Sequence, residues 1–326
     1  MAAFLFPGKG SSAGRAGSYF AGMIRARPLP VLLAIAGILL FSTKSVFVKL
    51  AYAGGADSLS TLLMRMLFAL PVYLSVWFGP GRKVTEGLQR KDYLQVLFFG
   101  IIGYYLASYF DFKGLVYIKA SLERLILFIY PTLVILISYV FLNKEITRTQ
   151  IFGVVITYLG ICLVFVPETQ LDGGHDVFVG AGFVFLSALC YSGYIVGSSF
   201  MTARFGVRNF TTLVMIVSCL FVVVHYSVES GDFGKLFTFD SRVYFAVVAM
   251  AILSTVLPSY LISYAIHTLG APRFSIFGSL GPVSTIFLAY FILDERLTTI
   301  QFAGGLIVIS GVAFAEFYRK KPTASL

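Results

Sequence analysis

The sequence predicts an all-α integral membrane protein in which ten transmembrane helices form two inverted five-helix repeats. First, 58% of the 326 residues are hydrophobic and only 12% are charged, which leaves too little polar surface for a soluble domain of this size. Second, apolar runs of about 20 residues, long enough to cross a bilayer, recur along the whole chain. Third, the second half repeats the first at a constant offset of 151 residues, which aligns Pro131 with Pro282.

The ten predicted spans are joined by short connections. They cover residues 29–52, 58–78, 93–112, 118–141, 148–166, 177–200, 210–228, 243–266, 272–292 and 299–318. A β-barrel would instead show alternating strands of about ten residues, and the sequence lacks that pattern. The chain is therefore expected to consist of a cytoplasmic N-terminal tail at 1–28, a first repeat at 29–166, a second repeat at 177–318 and a cytoplasmic tail at 319–326.

The repeat is carried by residue types that chance similarity between apolar helices does not explain. Residues 142–153 read LNKEITRTQIFG and residues 293–304 read LDERLTTIQFAG. Gly160 aligns with Gly311 in the same register. Each repeat holds five spans, and an odd number makes the second copy enter the membrane from the opposite side. Inverted repeats of this kind are a common architecture of secondary transporters.

Positive charge is distributed unevenly between the two sides of the predicted membrane. With the N-terminus inside, the inside segments hold 16 basic residues, whereas the outside loops hold only Lys113, Lys119, Lys235, Arg242 and Arg296. This distribution predicts cytoplasmic termini, and the expected location is the bacterial inner membrane. The formal charge of +10 therefore reflects topology, and no nucleic-acid partner is expected. The basic N-terminal tail fits either a disordered cytoplasmic tail or a targeting segment.

The chain resembles the EamA-type branch of the drug/metabolite transporter superfamily over nearly its whole length. The resemblance rests on the two repeats, on the proline-containing helices at 123–142 and 274–293, and on Lys49 and Arg65 in the first two spans. It implies ten helices in two EamA repeats and transport of a small metabolite. The substrates of this family range from amino acids to nucleotide sugars, so the resemblance does not identify the substrate.

The short loop after each proline-containing helix departs from the family pattern in one copy. The family loop usually reads Gly-Glu-x-Leu-Thr, and residues 294–298 are close to it with Asp-Glu-Arg-Leu-Thr. The first copy, at 143–147, carries Lys144 at the glutamate position. Because one copy lacks the acid, this difference favours a structural over a functional role for Glu295.

Charged residues inside the spans are concentrated in the first repeat. An ionised side chain in the middle of a bilayer costs about 3 kcal/mol, so each must face a polar interior or pair with another charge. Lys44, Arg65, Glu123 and Arg124 all fall in the outer half of the membrane, which predicts a polar site there. Glu123 is expected to neutralise Arg65, with Arg124 pointing to another face. Asp111, at the end of the third span, is expected at the membrane interface.

These charges and deep polar residues define the predicted site. The predicted substrate-binding residues are Lys44, Arg65, Tyr105, Ser108, Glu123, Arg124, Tyr191, Tyr260 and Tyr264. Each also has a structural interpretation: a tether between Arg65 and Glu123, a structural Lys44, or tyrosines that only pack. Pro131 and Pro282 lie near the middle of equivalent spans, where they are either a pair of hinges beside the pathway or static kinks. No metal or cofactor site is predicted.

The pattern predicts a secondary active transporter that exports a small polar metabolite, such as an amino acid or an organic anion, by alternating access. A proton bound by Glu123 or Asp111 is the candidate coupling ion. An intramembrane enzyme is the main alternative, but the sequence lacks HExxH and GxSxG motifs and paired catalytic carboxylates, so no enzymatic activity is expected. A non-transporting scaffold would have no use for the inverted repeats. The chain is expected to act as a monomer or a homodimer.

Overall fold

The computed structural model describes residues 28–79, 89–143, 146–171, 174–269, 277–278 and 280–317. These residues form helices joined by short turns, and no β-strand occurs among them. The main helices are α1 Pro28–Ser42, α2 Lys44–Ala53, α3 Ser58–Phe78, α4 Arg90–Tyr117, α5 Ala120–Leu127, α6 Tyr130–Leu142, α7 Arg148–Leu171, α8 Gly174–Phe205, α9 Val207–Glu229, α10 Ser241–Leu269, α11 Leu280–Leu293 and α12 Thr299–Phe317. Apart from Pro28, the predicted tails at 1–28 and 319–326 lie outside the described residues.

Seven stretches of helix are long and apolar enough to cross a membrane. They are Leu29–Ala53, Ser58–Phe78, Arg90–Tyr117, Ala120–Leu142, Gly174–Ser198, Val207–Glu229 and Ser241–Leu269. Three shorter apolar helices, Arg148–Val164, Leu280–Leu293 and Thr299–Val312, lie where the remaining spans are predicted. The all-α class is thus confirmed for the described part of the chain, and the count of ten spans stays a prediction.

Large apolar side chains cover the outside of the helices. Phe78, Phe141 and Phe245 have exposed fractions of 77%, 75% and 74%. A soluble protein rarely exposes continuous apolar surface of this kind, whereas lipid tails cover it without cost. The outward-facing residues therefore fit an integral membrane protein.

The two halves share local irregularities at the offset that the sequence predicts. Helix α4 widens into a π-helical turn at Ile101–Leu106, and α10 does so at the equivalent Ile252–Val256. Asn143 and Asp294, which follow α6 and α11, both adopt the left-handed conformation, with φ of 50° and 52°. Such agreement in irregular features supports the two-repeat architecture.

The same equivalence extends to helix capping. The Thr147 amide donates to the Gln150 side-chain oxygen at 2.9 Å, and the Thr298 amide donates to that of Gln301 at 2.9 Å. In return the Gln150 and Gln301 amides donate to the two threonine hydroxyls. Each pair is a capping box at the start of α7 or α12, which explains why Thr and Gln recur in both copies.

Helices α7 and α12, which are equivalent in the two repeats, pack against each other through glycines. A methyl group added at Gly160 would lie 2.7 Å from the Val308 amide nitrogen. One added at Gly311 would lie 2.6 Å from the amide nitrogen of Thr157, the residue equivalent to Val308. The contact is therefore reciprocal, and a pseudo-two-fold axis passes between the helices. The small size of these glycines allows the two helix backbones to approach closely.

Proline divides the fourth predicted span into two helices. Helix α5 ends at Leu127 and α6 begins at Tyr130, with Pro131 in its first turn. Because proline has no N–H, the Leu127 carbonyl lacks its usual helical donor four residues on. Beside this break, the carbonyl of Tyr130 accepts a hydrogen bond from the Ser192 hydroxyl at 3.1 Å. In the second repeat, Pro282 lies in the first turn of α11.

Candidate functional site

The two halves enclose a cavity of about 360 Å³. Its walls come from α1 to α4 and α8 to α10, with Leu127 from α5. Many lining residues are equivalent in the repeat, namely Lys44 and Ile195, Gly103 and Ser254, Tyr104 and Thr255, Ala107 and Pro258, Ser108 and Ser259, and Asp111 and Ile262. The cavity therefore lies between equivalent surfaces of the two halves. Both π-helical turns contribute to it, as such turns often do at functional sites.

The cavity reaches the surface on one side of the molecule. Ala203 at the end of α8 and His267 near the end of α10 line it and are exposed. Nearby, Arg208 at the start of α9 donates to the Val76 carbonyl, which places the end of α3 on this side as well. Asp57, at the start of α3, consequently lies on the opposite side.

Three buried charged residues form an ionic cluster at the closed end of the cavity, away from its opening. Lys44 Nζ lies 2.7 Å from Asp111 Oδ2 and 3.7 Å from Glu123 Oε1. The Ser45 hydroxyl donates to the other Glu123 oxygen at 2.5 Å. Lys44 and Asp111 line the cavity, whereas Glu123 lies behind them and is fully buried. The turn at Thr43, which separates α1 from α2, positions Lys44 and Ser45 for these contacts.

The expected interface position of Asp111 is wrong. Its exposed fraction is 1%, because α4 continues to Tyr117 and places Asp111 within the bundle. The predicted span ended at residue 112, where the apolar run stops, but the helical hydrogen bonding extends further. Asp111 lines the cavity, although the predicted substrate-binding residues do not include it.

Arg65 lines the cavity without a carboxylate partner. Its Nη2 donates to Ser108 Oγ at 2.8 Å, and the guanidinium carbon lies 4.9 Å from the centre of the Phe112 ring. Among the described residues, its Nε has no hydrogen-bond partner and no carboxylate lies within 4.0 Å. The predicted pairing of Arg65 with Glu123 is therefore wrong, since Glu123 contacts Lys44 instead. A buried guanidinium of this kind can bind an anion that enters the cavity.

Arg124 points away from its neighbour Glu123, as predicted. Its guanidinium lies 5.0 Å from the centre of the Phe41 ring, and its Nη2 lies beside Gly281, close to where a methyl group there would be. Together with Phe41 and Tyr191 it lines a second cavity of about 40 Å³. This small space adjoins the main cavity through those two aromatic residues.

The predicted tyrosines fall into two groups. Tyr191 lines the cavity, where Tyr194 stacks on it with ring centres 6.2 Å apart. Tyr105 instead contacts His225 at 3.0 Å, and Tyr260 contacts Thr212 at 2.9 Å. The exposed Tyr264 is likewise not among the lining residues.

Tyr104, not Tyr105, shares a helix face with Ser108. Tyr104, Ala107, Ser108 and Asp111 all line the cavity, at the spacing of three and four residues that defines one side of a helix. Counted from Ser108, the same periodicity predicts from the sequence that Tyr104 faces the cavity.

The side opposite the cavity opening is closed by contacts between loops and helix ends. Glu295, in the loop before α12, accepts hydrogen bonds from the Ala120 and Ser121 amides at 2.9 and 3.0 Å and from the Ser121 hydroxyl at 2.7 Å. It therefore caps α5, which belongs to the other repeat. These contacts agree with the structural role that the sequence favours for Glu295.

A second contact on this closed side joins Asp57 to Lys235 at 2.8 Å. Burial acts to raise the pKa of Asp57, but hydrogen bonds from Lys235 and Ser60 outweigh it and hold the pKa below its usual value. The same hydrogen bond raises the pKa of Lys235. Both groups are therefore charged at neutral pH, and their attraction joins the start of α3 to the segment between α9 and α10.

The profile of the EamA-like transporter family matches the chain twice, at residues 28–166 and 178–317. The chain belongs to the EamA-like transporter family. Both matches together cover most of the chain, and each contributes one wall of the cavity. Membership makes the protein an integral membrane protein of a transporter family with a two-repeat architecture.

Several relatives match this chain over most of their own length. The "Uncharacterized transporter YcbK" of Bacillus subtilis strain 168 is 26% identical over 90% of this chain and 95% of its own. YcxC from the same organism is 26% identical over 74% and 78%, and sll1319 of Synechocystis is 22% identical over 82% of each chain. A crystal structure at 17% identity superposes on 89% of this chain and 96% of its own with a TM-score of 0.60, which supports the fold alone.

Proposed function

We propose that this EamA-family protein is a secondary active transporter that exports a small polar metabolite, an amino acid or an organic anion, by alternating access. Ten spans in two inverted repeats would carry the cycle. The observation that carries the proposal is the cavity between equivalent faces of the two halves, open on one side and closed on the other by the ionic cluster and the Glu295 cap. Exchange of the two halves' conformations would open it to the opposite side.

The charge around the opening supports a cytoplasmic location for it. Arg204 and Arg208 are exposed at the helix ends that surround the opening. By the positive-inside rule this side faces the cytoplasm, with both termini, of a bacterial inner membrane. The described conformation would then load substrate from the cytoplasm, which is the first step of export.

Arg65 is the proposed anchor for the substrate carboxylate. It is the cavity-lining cation that has no carboxylate within 4.0 Å among the described residues, and Ser108 holds its guanidinium in place. Charge-assisted hydrogen bonds from a guanidinium to a carboxylate are among the strongest that proteins make. Lys44, in contrast, is already paired with Asp111.

Cysteine accessibility tests the direction of the opening. In a chain whose Cys162, Cys190 and Cys219 are replaced by alanine, Ser259→Cys is expected to react with a membrane-impermeant thiol reagent in inside-out vesicles. It should react at least about tenfold more slowly in right-side-out vesicles, because the closed side blocks access. A mixture of amino acids and organic acids should slow the reaction, and uptake of its components into proteoliposomes should identify the substrate.

Lys235→Cys is the matched control, since this loop residue should react from the opposite side only. Faster labelling of Ser259→Cys from the outside, or no transport of any component, would contradict the proposal.

The same assay tests the proposed hinges: Pro131→Ala and Pro282→Ala restore a helical hydrogen bond in opposite halves and should shift the labelling rate in opposite directions. Shifts in one direction for both would make the prolines static kinks.

Glu123 is the proposed site of an exchangeable proton. The charged groups around it are Lys44 and Lys49 from the first span, Asp111 from α4 and Arg124 from its own helix. Lys44 lies nearer to Asp111 than to Glu123, and Arg124 points to Phe41, so Glu123 is the less neutralised of the two carboxylates in the ionic cluster. A proton would remove this charge, and its binding and release could couple transport to the proton gradient.

Glu123→Gln is therefore expected to abolish accumulation driven by a proton gradient while leaving substrate exchange intact. Glutamine keeps the shape of the side chain and an oxygen that can accept from Ser45, but it cannot exchange a proton. The measurement is uptake into proteoliposomes with and without an imposed pH difference. Glu229→Gln, which alters a partly exposed acid at the end of α9, is the control. Gradient-driven accumulation by Glu123→Gln at the wild-type level would refute the assignment.

A further inference from the structure

The repeat register reveals a chemical difference between the two walls of the cavity. Lys44 of the first repeat is equivalent to Ile195 of the second, and Asp111 is equivalent to Ile262. All four side chains line the cavity. At two equivalent places, an ionic side chain on one wall thus corresponds to an isoleucine on the other.

Arg65 extends this pattern, because its equivalent in the second repeat is Ile216. The three ionic residues of the first repeat that line the cavity therefore all correspond to isoleucine. A duplicated chain that bound a symmetrical or uniformly polar substrate would have no reason to separate charge and apolar surface in this way. The separation instead defines one wall that carries ionic side chains and one wall that carries isoleucine at the equivalent positions of the cavity lining.

The second half also lines the cavity with seven serine and threonine residues, but each of these hydroxyl groups has a hydrogen-bond partner within the protein. Ser254 and Thr255 both donate to the Met250 carbonyl at 3.0 Å, and Ser259 donates to the Val256 carbonyl at 2.7 Å. The protons of these three hydroxyl groups are thus used within α10 and are not offered to a carboxylate. The aromatic rings of Phe41, Tyr191 and Tyr194 add further apolar surface.

We infer that the site selects an amphipathic carboxylate, with the carboxylate on Arg65 and an apolar body against Ile195 and Ile262. This inference rests on the proposed transport function and narrows its substrate class. Monocarboxylates and neutral amino acids with apolar or aromatic side chains share the required chemistry. Dicarboxylates, acidic amino acids and sugars do not, because a second polar group would lose its water against isoleucine. A cavity of about 360 Å³ suits a molecule of this size.

The test is equilibrium binding of two matched ligand series to the full-length protein in lipid nanodiscs, with empty nanodiscs subtracted. Straight-chain monocarboxylates from butyrate to octanoate should bind about fourfold more tightly for each added methylene, the factor expected for burying one CH₂. Dicarboxylates of equal length should bind at least about tenfold more weakly. Leucine and phenylalanine should likewise bind more tightly than glutamate. Tighter binding of either the monocarboxylates or the amino acids identifies which of these two classes supplies the carboxylate.

Two variants locate the walls. Ile262→Ala should reduce octanoate binding severalfold and change butyrate binding less, whereas Ile252→Ala, on an exposed face of the same helix, should change neither. Arg65→Gln should weaken the binding of every carboxylate by a similar factor. Thermal unfolding checks that this variant is folded. Equal affinity for dicarboxylates and monocarboxylates, or an Ile262→Ala effect independent of chain length, would overturn the inference while transport stands. Absence of both carboxylate binding and transport would overturn the proposed function as well.

Discussion

Lys44→Met is expected to lower the free energy of unfolding by about 3–5 kcal/mol, the usual cost of leaving a buried charge without its partner. Lys44 is the cation between Asp111 and Glu123, and all three side chains are buried. Methionine has a similar length but no charge, so it would leave two carboxylates close together in an apolar environment. Thermal unfolding of the purified protein, with the fraction of folded protein from size-exclusion chromatography, measures the effect.

The double variant Lys44→Met with Asp111→Asn should recover much of this loss, because it removes charges of both signs. Lys235→Met is the control at the surface: its ion pair with Asp57 is partly exposed, and such pairs contribute no more than about 1 kcal/mol. A single Lys44→Met variant as stable as Lys235→Met would show that Asp111 and Glu123 do not depend on Lys44.

Gly160→Leu and Gly311→Leu are expected to destabilise the protein strongly and to similar extents. A side chain at Gly160 would meet backbone atoms of Val308 and Gly304, with the first carbon already 2.7 and 2.8 Å away. At Gly311 the corresponding distances to Thr157 and Gly153 are 2.6 and 2.8 Å. Overpacking typically costs about 1–3 kcal/mol, and contacts with backbone on both helices place these variants at the upper end.

Gly182→Leu is the matched control, because Gly182 is also helical but has open space around its Cβ position. Thermal unfolding of all three variants under one condition gives the comparison. If Gly160→Leu were harmful and Gly311→Leu harmless, the reciprocity of the α7 and α12 contact would be refuted.

Features that depend on local chain chemistry could be predicted from the sequence. The division at Pro131 follows from the missing N–H, and the capping boxes at Thr147 and Thr298 follow from short-range hydrogen bonds. The repeat register was also accessible, because Pro, Gln and Gly recur at fixed positions. These inferences need only neighbours in sequence or the comparison of one half with the other.

The partners of the buried charges could not be predicted in the same way. Glu123 contacts Lys44 and not Arg65 because of the turn at Thr43 and the arrangement of three helices, neither of which has a sequence signature. The sequence predicts Asp111 at the interface because the end of an apolar run marks the edge of the hydrocarbon region, whereas α4 continues beyond that point. Charge and burial depth identified most of the members of the cluster, but the helix neighbours decide which of them meet.

The reciprocal glycine contact between α7 and α12 makes this surface isologous, as in a homodimer whose two subunits have been fused into one chain. If each half adopts the conformation of the other, the same residues meet at this surface in the same way. The contact is then invariant through the cycle and contributes equally to the energy of both end states. The contact can therefore be tightly packed without favouring either end state. The free-energy difference between the two end states must then come from positions where the two repeats carry different residues. Glu295 with its counterpart Lys144 is one such place, and the ionic residues opposite isoleucine are another.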